Sequence, residues 1–275
     1  MGNNPLQQYF RQPKIFLKLP SLGMYNDPAT IQGNVESLPI FGMTGMDQVI
    51  VKTPDALISG ESTVKVIESC CPSVKDAWKI TSIDIDSILV AIRIATYGNN
   101  YGIQHTCTEC GSQHEYDIDL GRFITHFSNC VYDSKIMIGD LIIRIRPLEY
   151  KQATEFNLAN FGLQKQLMQL NDLEDAELKK SIISTIFNDL GILQNKIFLA
   201  GIESIETPTA QVTEWTFIKE WLENCGSEIA DALKLQFEKN TKAWMVPPST
   251  IKCTDCGHTE EVHVELDQSN FFVKA

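Results

Sequence analysis

Four cysteines carry the recognisable chemistry of this chain. They stand as Cys107-Thr-Glu-Cys110-Gly111 and Cys253-Thr-Asp-Cys256-Gly257. Two cysteines three positions apart can aim both sulfurs at one centre when the backbone turns tightly between them. A glycine directly after the second cysteine permits the positive φ that such a turn often needs. Polar residues and then an alternating segment follow each turn, HEYDIDL at 114–120 and TEEVHVEL at 259–266. The two stretches form an internal repeat. Together they supply four thiolates, the tetrahedral set favoured by structural zinc. The expectation is one structural Zn2+ held by Cys107, Cys110, Cys253 and Cys256. Four thiolates leave no coordination position for water, so zinc catalysis is not expected.

Competing readings of the same residues are weaker. A redox pair of the thioredoxin kind opens a helix after a strand, and Gly111 and Gly257 argue against helix. Disulfides fit poorly with the reducing cytoplasm in which the chain is expected to be made. His105, His114, His258 and His263 flank the turns and could replace a cysteine, but the shell is complete without them. They read as ribbon surface or as donors around the site, and His126 stands apart. Of the eight cysteines, Cys70, Cys71, Cys130 and Cys225 read as thiols packed as small hydrophobes.

No catalytic constellation emerges. Gly-x-Gly-x-x-Gly, the phosphate loop, Gly-x-Ser-x-Gly and His-Glu-x-x-His do not occur in the sequence. Asp84 and Asp86 suit a helix cap and first turn, and Asp117 and Asp119 suit one face of a strand. Asp172, Glu174, Asp175 and Glu177 place negative charge at a helix start, where it favours the macrodipole. Trp215 and Trp221 read as core or interface residues. The chain is therefore read as non-enzymatic.

The elements that must position the cysteines can be traced along 275 residues, enough for two lobes or one domain with an insertion. Short strands are expected at 14–20 and at 34–41, the latter interrupted by Pro39. Helices are expected from Thr44, after Thr53, and from Ser62 or Thr63 to Pro72. A strongly apolar helix runs from about Asp84 to Tyr97, and its Arg93 should snorkel or pair with an acid. Gly139-Asp140 predicts a hairpin within 134–146. About a hundred residues of helical periodicity follow, including Val212, Trp215, Ile218 and Leu222, with Pro208 between two helices. Pro247-Pro248 closes that part, and 249–275 returns to strand pattern.

The resulting fold class is α+β. It comprises small N-terminal strands and helices, a split zinc ribbon formed by two distant knuckles, and a mainly helical insertion. The expected domains are an arm at 1–13, an N-terminal lobe at 14–100, the ribbon at 101–120 with 249–275, and the insertion at 121–248. The wide separation of the knuckles makes the zinc a clip at the base of that insertion.

The formal charge of −12 repels phosphate, so nucleic acid is a disfavoured partner. Glu109, Glu115, Asp255, Glu260 and Glu261 surround the knuckles. The alternative, a zinc-ribbon nucleic-acid-binding or transcription-associated protein, should instead gather basic and aromatic side chains there. No apolar run approaches the roughly 18 residues needed to span a bilayer. The opening MGNNPLQQYFRQP lacks the apolar core of a signal peptide, and Leu6 replaces the Ser or Thr of a myristoylation signal.

The ordering of these features resembles the baseplate-hub protein family of T-even-like contractile-tailed bacteriophages. The resemblance rests on LPSLGMY at 19–25, SILVAIRIATYG at 87–98, CTECG at 107–111 and YDIDL at 116–120. It continues through FIKEWLENC at 217–225 and KCTDCGHTEEVHVELDQSNFF at 252–272. It covers nearly the whole chain, apart from the arm before Lys14. It implies a non-enzymatic structural or assembly protein of the virion tail baseplate, synthesised in the host bacterial cytoplasm. It also implies zinc at the four cysteines. The implied partners are other baseplate hub and tail subunits, with homo-oligomerisation as a further option. Met1–Pro13 and Phe271-Phe272 are the candidate contact segments, with packing on their own ribbon as the alternative for the two Phe.

Overall fold

The structure, a computed structural model, describes residues 4–52, 59–170, 175–264 and 271–272. The helix expected after Thr53, together with Asp172 and Glu174, lies outside the described residues. The chain divides into two compact units, residues 1–130 with 244–275, and residues 131–243.

In the first unit, β1 (Pro13–Leu17) pairs antiparallel with β2 (Leu38–Phe41), Leu17 lying opposite Leu38. Pro39 does not interrupt the second strand but sits within it opposite Phe16. The sheet has two strands, so the missing N–H of Pro39 falls on an edge. α1 (Gly45–Ile50) begins where expected. The Thr44 hydroxyl accepts from the Asp47 amide, and the Asp47 carboxylate accepts from the Thr44 amide, a reciprocal cap. α2 (Glu61–Cys70) buries Ser62 and Thr63 in its first turn. Cys70 and Cys71 are fully buried, and burial pushes their thiols up to about 12 and about 11.

α3 (Ser82–Tyr97) is the central apolar helix and ends at Gly98, φ 94°. It starts two residues before Asp84, which is therefore not the cap. Asp84 is fully buried and accepts from the Ser21 amide at 2.9 Å, the Ser21 hydroxyl at 2.5 Å and the Asn26 side chain at 2.9 Å. It fastens the loop around residues 21–26 to the helix. Burial pushes its pKa up, and the bonds from Ser21 and Asn26 oppose that shift. β3 (Asn100–Thr106) and β4 (Gln113–Asp119) then form a hairpin. α4 (Gly121–Asn129) was not foreseen from periodicity. Phe123 and Phe127, one turn apart, are its only buried residues.

In the second unit, β5 (Lys135–Ile138) and β6 (Leu141–Ile145) form the hairpin predicted at Gly139-Asp140. Two long helices follow, α5 (Tyr150–Gln169) and α6 (Ala176–Gly201). Next come β7 (Ile202–Glu206) and β8 (Gln211–Val212), then α7 (Trp215–Asn224) and α8 (Ser227–Trp244). The expectation that helical periodicity takes in Val212, with Pro208 between two helices, is thus corrected. β7 and β8 extend the hairpin into a four-stranded antiparallel sheet ordered β5-β6-β7-β8. Val212 pairs with Ile205 instead of joining a helix stripe, and Pro208 lies in the turn between strands. Sheet pairing sets β-branched Ile205 against Ile143, a non-local gain that local periodicity does not register. Ile143, Ile145, Phe198, Ile205, Ile218, Leu222 and Leu233 form the core of this unit.

The chain returns to the first unit with β9 (Ser249–Lys252) and β10 (Thr259–Val262), a second hairpin.

Candidate metal centre

Each cysteine turn is the tip of its own hairpin. The strands pair within each half and not across the halves, because β3/β4 and β9/β10 are separate two-stranded sheets. The ribbon is a pair of hairpins whose tips meet. Matching backbone bonds shape both tips. Cys107 N donates to Ser112 O at 2.9 Å and Gly111 N to Cys107 O at 3.0 Å. Cys253 N donates to His258 O at 2.8 Å and Gly257 N to Cys253 O at 3.0 Å. Gly111 and Gly257 have φ of 76° and 75°, a conformation that side-chain-bearing residues avoid.

The four sulfurs all lie within 4.8 Å of one another. Cys107 Sγ is 3.7 Å from Cys256 Sγ, and Cys110 Sγ is 3.6 Å from Cys253 Sγ. A zinc ion bonded at about 2.3 Å to four sulfurs at the corners of a tetrahedron sets them about 3.8 Å apart. The donor set therefore fits a thiophilic ion in number, type and spacing. Cys107 and Cys253 are buried, while Cys110 and Cys256 face solvent.

The cluster is electrostatically uneven. Hydrogen bonds from Ser112 pull the Cys110 thiol down to about 6. The His258 backbone lowers the Cys256 pKa, but burial and the neighbouring sulfurs outweigh it and push that thiol up to about 12. The Cys256 thiol keeps its proton at neutral pH, and a metal must displace it.

Contacts between the tips surround the sulfurs. Thr108 Oγ1 donates to Glu260 Oε2 at 3.0 Å, and His105 Nε2 lies 3.1 Å from Glu260 Oε1. Partial burial raises the Glu260 pKa, but His105 and Thr108 outweigh it and hold the carboxyl below the ordinary glutamate range. Thr254 Oγ1 lies 3.3 Å from His114 Nε2, and that nitrogen is also 3.3 Å from Asp255 Oδ2. The roles of Thr108 and Thr254 were legible only from the repeat, which puts threonine after the first cysteine of both turns. His126 is local, its Nε2 3.5 Å from Cys130 Sγ.

The other singled-out residues fall elsewhere. Phe271 and Phe272 are buried, which fits packing within the fold and not an open contact surface. Arg93 Nε donates to Phe271 O at 2.8 Å, Tyr97 OH donates to Phe272 O at 3.2 Å, and Tyr101 packs on the Phe271 ring. Arg93 is buried instead of snorkelling, and among the described residues it pairs with no acid. Its guanidinium is buried over the Tyr97 ring, 4.3 Å from the centroid. The arm differs. Residues 5–9 form a 3-10 turn capped by Asn4, with Leu6, Tyr9 and Phe10 exposed. Arg11 anchors it, donating to Gly42 O at 2.6 Å and Ser69 O at 2.7 Å.

Comparison with known proteins adds one result. Residues 46–273 match the model of a family described as T4 bacteriophage base plate protein. The match begins inside α1 and takes in both cysteine turns. No curated protein and no solved structure shows a match.

Proposed function

This chain belongs to the T4 bacteriophage base plate protein family, and we propose that it serves as a structural or assembly component of the baseplate hub. The family match over 46–273 is the observation that carries this reading. The protein works through contacts with other hub and tail subunits in the virion tail. It performs no catalytic step. A single zinc ion bound by Cys107, Cys110, Cys253 and Cys256 locks the two hairpin tips together. Four cysteine sulfurs within 4.8 Å of one another support zinc as the ion. Bound there, it supplies structural cross-linking.

The exposed arm residues Leu6, Tyr9 and Phe10, anchored through Arg11, are the proposed docking element of the first unit. Aromatic anchors of this kind dominate many protein interfaces. Among the described residues no helix is long and apolar enough to cross a membrane. Glu260 and Asp255 engage His105 and His114 at the tips, which places negative charge where a nucleic-acid reader needs positive charge.

Quantitative mass spectrometry of purified phage particles and of tail-assembly intermediates tests the reading. The protein is expected in baseplate-containing fractions, or in hub intermediates if it acts only during assembly. Its absence from both would overturn the proposal.

A further inference from the structure

α5 is twenty residues long and buries none of them. Its inner face packs on α6. The outer face is open and carries Leu158, Phe161 and Met168, 39%, 65% and 71% exposed. Helices in proteins draw most of their stability from burying an apolar face. This one is a layer short of a partner.

The outer stripe runs Lys151, Glu155, Leu158, Gly162, Lys165, Gln169. Its steps are four, three, four, three, four, and they read identically in both directions. Two copies laid antiparallel about a twofold axis beside Asn160 therefore place Glu155 of each against Lys165 of the other. The same operation seats Leu158 of each over Gly162 of the other. In an interface of this symmetry every contact occurs twice.

Gly162 supports the arrangement independently. Glycine in mid-helix weakens the helix relative to alanine. Among the described residues nothing requires it, since a Cβ built there meets no atom within 4 Å. The space is a ready hole for an incoming leucine.

We infer that α5 is the self-association surface of this protein, an antiparallel helix pair between two copies held by reciprocal Glu155–Lys165 ion pairs and Leu158–Gly162 packing. Phe161 and Met168 flank the seam and lose solvent with it. The inference goes beyond the baseplate role and requires neither the metal nor any other subunit.

Sedimentation of the full-length, metal-loaded protein tests it. The wild type is expected to dimerise at micromolar concentration. Glu155→Lys alone and Lys165→Glu alone each set like charges face to face twice and should weaken the dimer by roughly tenfold or more. Both positions are exposed, so circular dichroism should show both variants folded. Mixing the two single variants restores two attractive pairs and should regenerate the dimer as a heterodimer. Gly162→Leu should weaken association by filling the hole. A monomeric wild type, or a dimer indifferent to both single reversals, would overturn the inference.

Discussion

Thr108 donates a hydrogen bond to Glu260 across 3.0 Å, linking the first cysteine turn to the strand that follows the second. The repeat carries a mirror of this contact. Thr254 occupies the place of Thr108, His114 occupies the place of Glu260, and the two lie 3.3 Å apart. The sulfur pairs obey the same exchange, Cys107 with Cys256 and Cys110 with Cys253. The two hairpin tips are thus related by an approximate twofold operation. Each tip supplies two of the four clustered sulfurs and half of the contacts around them.

Glu260 should matter to metal affinity although it binds no metal. Glu260→Ala removes the acceptor of Thr108 and the neighbour of His105. Losing an outer partner of a metal site typically costs 10–100-fold in affinity. The expected result is a weakening of that order in competition with a colorimetric chelator, with the fold intact at saturating zinc.

Metal binding should release protons and weaken as pH falls. The Cys256 thiol, pushed up to about 12, stays protonated at neutral pH and must lose its proton to bind. Cys110, pulled down to about 6, is already a thiolate at pH 7 but protonates as the solution passes below 6. Calorimetry in buffers of different ionisation enthalpy should show net proton release at pH 7. Affinity should drop steeply below pH 6.

The buried carboxyl of Asp84 predicts a stability signature in the first unit. Its pKa is raised in the folded protein by burial, so the folded state holds the proton more tightly than the unfolded chain. This contribution to stability is complete below the ordinary aspartate pKa and is lost as pH rises through the raised folded value. Asp84→Asn should remove that pH-dependent component from denaturant unfolding curves. Asp84→Ala should cost about 2–4 kcal/mol, because it strands the Ser21 and Asn26 donors.

Phe271 closes the first unit. It is fully buried against Tyr101 and bonds Arg93 through its carbonyl. Phe271→Ala should destabilise by about 3–5 kcal/mol. Differential scanning calorimetry would register it as a lowered transition of that unit.

What the sequence disclosed and what it hid follow one physical divide. The metal turns were legible because a Cys-x-x-Cys-Gly tip is specified locally by its own glycine and backbone bonds. α1, with Thr44 at its start, and the Gly139-Asp140 hairpin were legible for the same reason. β7 and β8 were not, because Ile205 gains its partner Ile143 only through a contact distant in sequence. Asp84 looked like a cap because its position near a helix start was visible and its partners Ser21 and Asn26 were not. The choice between contact and packing for Phe271 and Phe272 was not legible, because nothing local announces that Arg93 and Tyr97 donate to their carbonyls.

The account rests on four cysteines sharing one ion, and elemental analysis measures that directly. Full-length protein expressed with zinc and dialysed should retain one zinc per chain by plasma mass spectrometry. Cys253→Ser should retain little and should melt at lower temperature. Metal-free wild type that folds with undiminished stability, or unchanged zinc content in Cys253→Ser, would contradict it.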